Sequence, residues 1–254
     1  MLVSVPELEL CMNQSLYQSI FRRKACRTYD MTPLSDELLD EIDSVLTSFV
    51  RLYEQDTLSY RIVSRVKGLF HVAAPHYLII SGEGSEGEEE SAGFLFEQLA
   101  LWLNSQNLGS VWLGASRDGE GRNQKGDLIV IGFGKPADSP HRGRDQFKRK
   151  PLNDVTNDVD DSLIQAAALA PSGLNKQPWY FHKEEDRVLV YLQNLKAPLS
   201  LLYTLTRIDI GIALAHYMLA CNEEGKSFMF IPSSELPPLR GYTSFGIIKS
   251  DLLQ

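Results

Sequence analysis

At 254 residues the chain can bury one large hydrophobic core or two small ones. Its composition, 43% hydrophobic and 23% charged, is that of a globular protein, and its formal charge of -8 argues against a nucleic-acid partner, which rewards a net basic surface. No apolar run approaches the roughly 18 residues of a membrane span, Glu7 and Glu9 interrupt any signal-peptide reading of MLVSVPELEL, and Cys11, Cys26 and Cys221 have no metal spacing, all of which fits packing thiols in a reducing cytoplasm.

The segment NQSLYQSIFRR predicts a short helix with Leu16, Tyr17, Ile20 and Phe21 on one face and Arg22 and Arg23 at its end, where basic side chains suit the helix dipole. Pro33 interrupts the chain. Ser35 is then placed to cap a second helix whose apolar stripe is Leu38, Leu39, Ile42, Val45, Leu46 and Phe49. HYLIIS reads as a buried strand. Phe94, Leu95, Leu99, Trp102 and Leu103 mark a third helix, expected to stop at Gly109, with strands over SVWLG and DLIVIGFG beyond it. Residues 135–150 show neither period and read as a polar linker, so the first half is taken as 1–150 and the second as 151–254.

The second half starts with the helix DDSLIQAAALA, capped by Asp160 or Asp161, followed by strands over WYFHK and RVLVYLQ. RIDIGIALAHYMLACNEEG predicts a helix with Ile208, Ile212, Leu214, Ala215, Met218 and Leu219 inward and Gly225 as C-cap; the strands SFMFI and YTSFGIIK close the chain. The order helix, strand, long helix, strand, strand thus occurs twice, which points to an internal duplication.

Two stretches carry the chemistry. RRKACR (Arg22 to Arg27) is a basic cluster in an acidic chain, and guanidinium groups bind phosphate through charge-assisted, bidentate hydrogen bonds. APSGLNKQPW (Ala170 to Trp179) is a loop in which Pro171 fixes the backbone, Ser172 and Gly173 allow close approach of main-chain groups, and Asn175 ties the turn to itself.

With QNLGSVWLG, IVIGFGKP and KRKPL (Lys148 to Leu152), these motifs resemble those of the nitroreductase superfamily, the FMN-dependent NAD(P)H oxidoreductases, and in particular its members with two halves fused in one polypeptide. The resemblance covers nearly the whole chain, and APSGLNKQPW is its most specific part. In ordinary members the APS motif follows the arginine motif closely. Here SFVRLYEQD stands in that place, and the APS motif lies in the second half, which lacks an arginine motif.

The resemblance implies an α+β fold, a mixed, mainly antiparallel sheet flanked by helices, built as an intrachain pseudo-dimer. It also implies one FMN per chain. Arg23, Arg149 and Lys148 would bind its phosphate, Lys24 its ribityl or pyrimidine oxygens, and Arg27 its pyrimidine edge, where a cation stabilises reduced flavin. The backbone of Trp112, Leu113 and Gly114 would lie against one ring face, and the loop residues Pro171, Ser172, Gly173 and Asn175 would complete the cofactor set. A purely structural role for Trp112 is an equal alternative, Trp179 reads as core, and Lys67 as a surface lysine. Ala25 stands where the family usually has Ser and removes a hydroxyl contact.

Gly82 to Gly87 form a literal GxGxxG, but Glu83, Glu86 and the run Glu88 to Glu90 would repel a pyrophosphate, and no acidic residue follows at the fingerprint spacing. It reads as a flexible acidic loop. The five histidines show no ligand spacing, and no side chain is identified as catalytic or metal-binding. The expectation is a cytoplasmic, monomeric FMN-dependent oxidoreductase that takes hydride from NADH or NADPH and reduces nitroaromatics, quinones or similar small acceptors, with no nucleic-acid or membrane partner. The alternative is a flavin-binding scaffold without turnover.

Overall fold

The structure, a computed structural model, describes residues 5–68, 71–122, 126–194 and 203–252. The first four residues of MLVSVPELEL lie outside the described residues. Helix α1 (Val5–Ile20) buries Leu16 and Ile20, and the half-buried rings of Tyr17 and Phe21 meet edge to face with centroids 5.0 Å apart. It begins earlier than the sequence pattern suggests and ends before the arginines. Arg22 and Arg23 lie beyond it, and its last turn holds no basic residue.

The chain divides into two compact units, Arg22–Gln146 and Met1–Phe21 with Phe147–Gln254. The expected boundary at 150/151 differs from this division at two points. Helix α1 packs against the long helix of the later unit, and residues 148–150 hydrogen-bond into that unit's loop.

In the Arg22–Gln146 unit, Ser35 caps α2 (Asp36–Ser48), its hydroxyl accepting from the Leu38 N–H at 3.4 Å, and Ile42, Val45, Leu46 and Phe49 are buried. Then come β1 (Ser59–Val63), β2 (Val66–Gly68), β3 (His76–Ser81), α3 (Glu88–Ser105), β4 (Gly109–Leu113), β5 (Ser116–Asp118) and β6 (Asp127–Gly134). The sheet order is β1-β3-β6-β4, antiparallel throughout, with Leu78 opposite Ile131 and Ile131 opposite Trp112. All six residues of β3 are buried, as its continuous apolar run requires. The strands β1, β2 and β5 were not expected. They are short, interrupted by Arg or Lys, and owe their extended form to pairing with a neighbour.

In the other unit, Asp161 caps α4 (Ser162–Ala168), its Oδ1 accepting from the Ile164 N–H at 2.9 Å. The strands β7 (Trp179–Lys183), β8 (Val188–Gln193), β9 (Met229–Pro232) and β10 (Tyr242–Lys249) form a sheet in the order β7-β8-β10-β9, again antiparallel, with α5 (Tyr203–Glu223) between β8 and β9. Strand for strand this is the order of the first sheet, with a capped helix before the first strand and a long helix between the second and the third. The helices α3 and α5 are buried on every side over most of their length. They also end alike. Asn107 (φ 62) after α3 and Gly225 (φ 64) after α5 take left-handed backbone, and the next N–H reaches back five residues, Leu108 to Leu103 O and Lys226 to Cys221 O, both at 2.8 Å. The two units therefore support the duplication read from the element order.

Three local expectations change. Gly109 opens β4 rather than stopping α3, and its lack of a side chain serves packing, since a Cβ there would lie 2.6 Å from Cys26 Cβ. The segment 135–150 is not a free linker through its first part. Residues 22–30 and 135–142 run antiparallel, joined by Lys24 N–H to Pro140 O, Asp30 N–H to Lys135 O, Ala137 N–H to Thr28 O and Arg142 N–H to Arg22 O. Cys26 and Cys221 are buried packing residues, but Cys11 is exposed.

Gly109→Ala should destabilise the protein by about 1–3 kcal/mol through overpacking against Cys26. Urea unfolding checks this, and a Gly109→Ala/Cys26→Ala double variant, which removes the Cys26 Sγ that would lie 2.7 Å from the new Cβ, should recover part of the loss.

Candidate functional site

Within the Arg22–Gln146 unit the arginine motif, α3 and β4 meet at one carboxylate. Glu97 is wholly buried in the middle of α3; its Oε1 accepts from Arg23 Nε at 3.2 Å, and its Oε2 accepts from Trp112 Nε1 at 2.9 Å. Arg23 is itself buried, and the Cys26 N–H donates to Ser110 O at 2.9 Å, which lays the motif along β4. Trp112 is half-buried, Leu113 points into the core with Val111, Tyr77 and Val130, and Gly114 leads into the left-handed Ala115, so β4 can offer a ligand only its Trp112 side chain and backbone. Lys24 is half-buried, Arg27 exposed, and Ala25 bridges Ser110 through its backbone. Lys67 is exposed on β2.

Two of the residues that build this corner were missed. Arg142 lies opposite Arg22, and burial, with the charge of nearby Arg23, lowers its guanidinium pKa to about 10. Arg23 and Arg142 thus lie close enough to feel each other's charge, and among the described residues Arg22 Nε is a buried donor with no hydrogen bond. Neighbouring guanidinium groups with a buried donor beside them fit a phosphate. Glu97 left a signal in the sequence, a lone charge inside the apolar run FLFEQLALW. Arg142 left none, because only the pairing of 22–30 with 135–142 brings it beside Arg23.

The GxGxxG segment is filled from within. Glu88, the first residue of α3, accepts from the Glu83 and Gly84 N–H groups at 2.8 Å each and from the Thr57 hydroxyl at 2.9 Å. These bonds outweigh burial and lower its pKa. The loop is therefore tied rather than flexible, and its own carboxylate occupies the amide groups a phosphate would need.

In the other unit APSGLNKQPW is a tight, exposed loop on buried supports. Ser172 Oγ accepts from the Gln177 N–H at 2.8 Å, and Gln177, itself buried, also bonds Asn175 O and the Lys150 backbone. Leu174, Asn175 and Gln177 adopt positive φ (50°, 57° and 39°), a strain these bonds hold in place. Asn175 does not mainly tie the loop to itself. Its Nδ2 donates to Lys148 O at 2.8 Å, and its Oδ1 accepts from Arg149 Nη1 at 2.9 Å. Arg149 also donates through Nε and Nη2 to Leu169 O, at 3.1 and 2.9 Å. Lys148 and Arg149 thus bond to the APS loop and its support, and the Arg149 guanidinium braces the loop. Pro171 and Ser172 are half-buried, Gly173 is exposed, and Trp179 is core, as expected.

The site residues so form two sets: Arg23, Lys24, Arg27, Trp112, Leu113 and Gly114 in one unit, and Lys148, Arg149, Pro171, Ser172, Gly173 and Asn175 in the other. Repeated antiparallel sheets with a buried helix, an arginine corner and an APS loop are the features of a nitroreductase-type protein. The chain belongs to the family described as "Putative TM nitroreductase", whose model matches residues 15–221. Among solved structures it is similar to a "putative nitroreductase" from Thermotoga maritima (19% identity, 92% of each chain covered, TM-score 0.66), which shows the fold. Shorter matches are a "Putative NADH dehydrogenase/NAD(P)H nitroreductase" from Bacteroides thetaiotaomicron (21% identity, 54% of this chain and 92% of that one, TM-score 0.43) and an "FMN-dependent Nitroreductase" from Clostridium difficile (14% identity, 48% and 87%, TM-score 0.37). No curated protein matches the chain. Among the described residues no helix is long and apolar enough to cross a membrane.

Removing Glu97 leaves Arg23 buried without its counter-charge. Glu97→Ala should cost about 3–5 kcal/mol in urea unfolding. Glu97→Gln, which keeps an acceptor, should cost less, and Trp112→Phe should leave the Arg23 contact intact.

Proposed function

We propose that the chain is an FMN-dependent NAD(P)H oxidoreductase that reduces nitroaromatic, quinone or similar acceptors by ping-pong hydride transfer. The observation that carries this reading is the arginine corner, with Arg23 buried on Glu97, Arg142 beside Arg23 and a buried Arg22 Nε donor, in a chain of the nitroreductase family. It supports binding of a phosphate group at Arg23. Lys24 and Arg27 would hold the polar edge of the flavin, Arg27 with a charge that favours the reduced form. The backbone of Trp112 to Gly114 and the tip of the APS loop would supply its apolar and amide contacts. Lys148 and Arg149 would act by shaping that loop. FMN, when bound, supplies the hydride chemistry. The protein orients donor and acceptor against it and keeps water from the reduced ring. We assign the protein to the cytoplasm, as a monomer holding one FMN.

Purified protein should be yellow, with flavin absorbance matching one FMN per chain, and stopped-flow mixing with NADH or NADPH should bleach it. Protein that stays colourless after reconstitution with FMN would refute the proposal. Ala25, which offers no hydroxyl beside Ser110, favours a second reading, a flavin-binding scaffold without turnover. That protein would hold FMN and leave it oxidised when either nicotinamide is added.

A further inference from the structure

Asp209 lies near the start of α5, buried beneath the tip of the APS loop, and its Oδ1 accepts from the Gly173 N–H at 2.8 Å. Among the described residues that is its one hydrogen bond, and no cation pairs with it. The elements around it offer little charge. The helix α1 from Cys11 onward, α4 and β8 carry no charged side chain, Arg207 on α5 lies over the Phe245 ring, and the loop contributes Arg149, committed to Leu169 O and Asn175, and the exposed Lys176. Burial accordingly raises the Asp209 pKa to about 7, against the smaller opposing effect of the Gly173 bond. A buried carboxylate with a single donor is costly, and groups kept in that condition are concentrated at binding sites.

Gly173 supplies the second observation. Its φ lies outside the left-handed region, and a Cβ built on it would meet only Asp209, Oδ2 at 3.5 Å and Oδ1 at 3.9 Å, both ordinary contacts. Neither backbone strain nor crowding therefore demands glycine at this exposed position. With glycine there, no side-chain atom of residue 173 lies between Oδ2 and the exposed loop backbone.

We propose that Asp209 is the acceptor of this site: Oδ1 anchors the loop through Gly173, and Oδ2, uncovered at Gly173, accepts a hydrogen bond from an N–H or O–H of the bound flavin. The inference rests on the flavin reading above. A charged acceptor makes the stronger bond, so ionised Asp209 favours the complex.

The test is FMN titration, read by flavin fluorescence, of the wild type, Asp209→Asn and Gly173→Ala at about pH 5.5 and about pH 8.5. Wild-type affinity should rise with pH. Asp209→Asn keeps an acceptor for Gly173 but turns the second oxygen into a donor, so it should bind about tenfold more weakly at the higher pH and lose the pH dependence. In Gly173→Ala a methyl covers Oδ2 without a clash, so its affinity should fall about as far as that of Asp209→Asn while its FMN-free melting temperature stays near wild type. A further readout needs no FMN. A carboxyl with a raised folded pKa loses stability as pH rises from 3.8 to about 7, so Asp209→Asn should melt above the wild type at high pH and level with it in acid. If the wild type binds FMN and both variants match it at both pH values, the Asp209 proposal is overturned and the flavin reading stands. If the wild type binds no FMN, both are overturned.

Discussion

A guanidinium group is buried only where a counter-charge waits for it, and much of this protein's Arg22–Gln146 unit is arranged around that requirement. Arg23 meets Glu97 in the middle of a helix buried on all sides. The same carboxylate takes the Trp112 indole, so one residue joins the arginine motif, α3 and β4. The segment from Arg22 to Asp30 must then pass along β4, where Ser110 O receives the Cys26 N–H, and the return segment from Lys135 to Arg142 pairs with its other side. The pair itself adds little net stability, because desolvating both charges offsets most of their attraction. Its effect is on specificity: other paths for residues 22–30 would leave Glu97 or Arg23 buried alone.

The chain shows two fates for a loop rich in backbone amides. After β3, the Glu88 carboxylate turns back into the Gly82–Gly87 loop and accepts its N–H groups. No place remains there for an outside anion. After α4, the APS loop is held from below by Ser172, Gln177, Arg149 and Asp209, and its tip from Gly173 to Lys176 stays exposed. The first loop is satisfied by its own chain. The second spends its strain on presenting a surface.

Much of this was legible in the sequence. β3, β6, β7 and β10 fall on the apolar runs that announce them, Ser35 and Asp161 cap the helices they precede, and Gly225 ends α5. These are local effects, set by side-chain periodicity and by hydrogen bonds spanning a few residues. The strands β1, β2 and β5 were not legible, because short charged segments become strands only when a partner strand supplies their hydrogen bonds. The motif residues were recognisable, but their allegiance was not. Lys148 and Arg149 follow the first half in the sequence yet bond to the APS loop, and Asn175, expected to fold its loop on itself, reaches back to both.

By itself, then, the sequence determined the composition class, the doubled order of elements, the motifs and most of the strands and caps, since each depends on neighbours close in the chain. The tertiary structure alone decided which charges meet. Glu97 and Arg23 are 74 positions apart, and Gly173 and Asp209 are 36 apart. Long-range pairing of buried groups depends on how strands and helices stack, and desolvation gives such pairs their weight only once the core has closed around them.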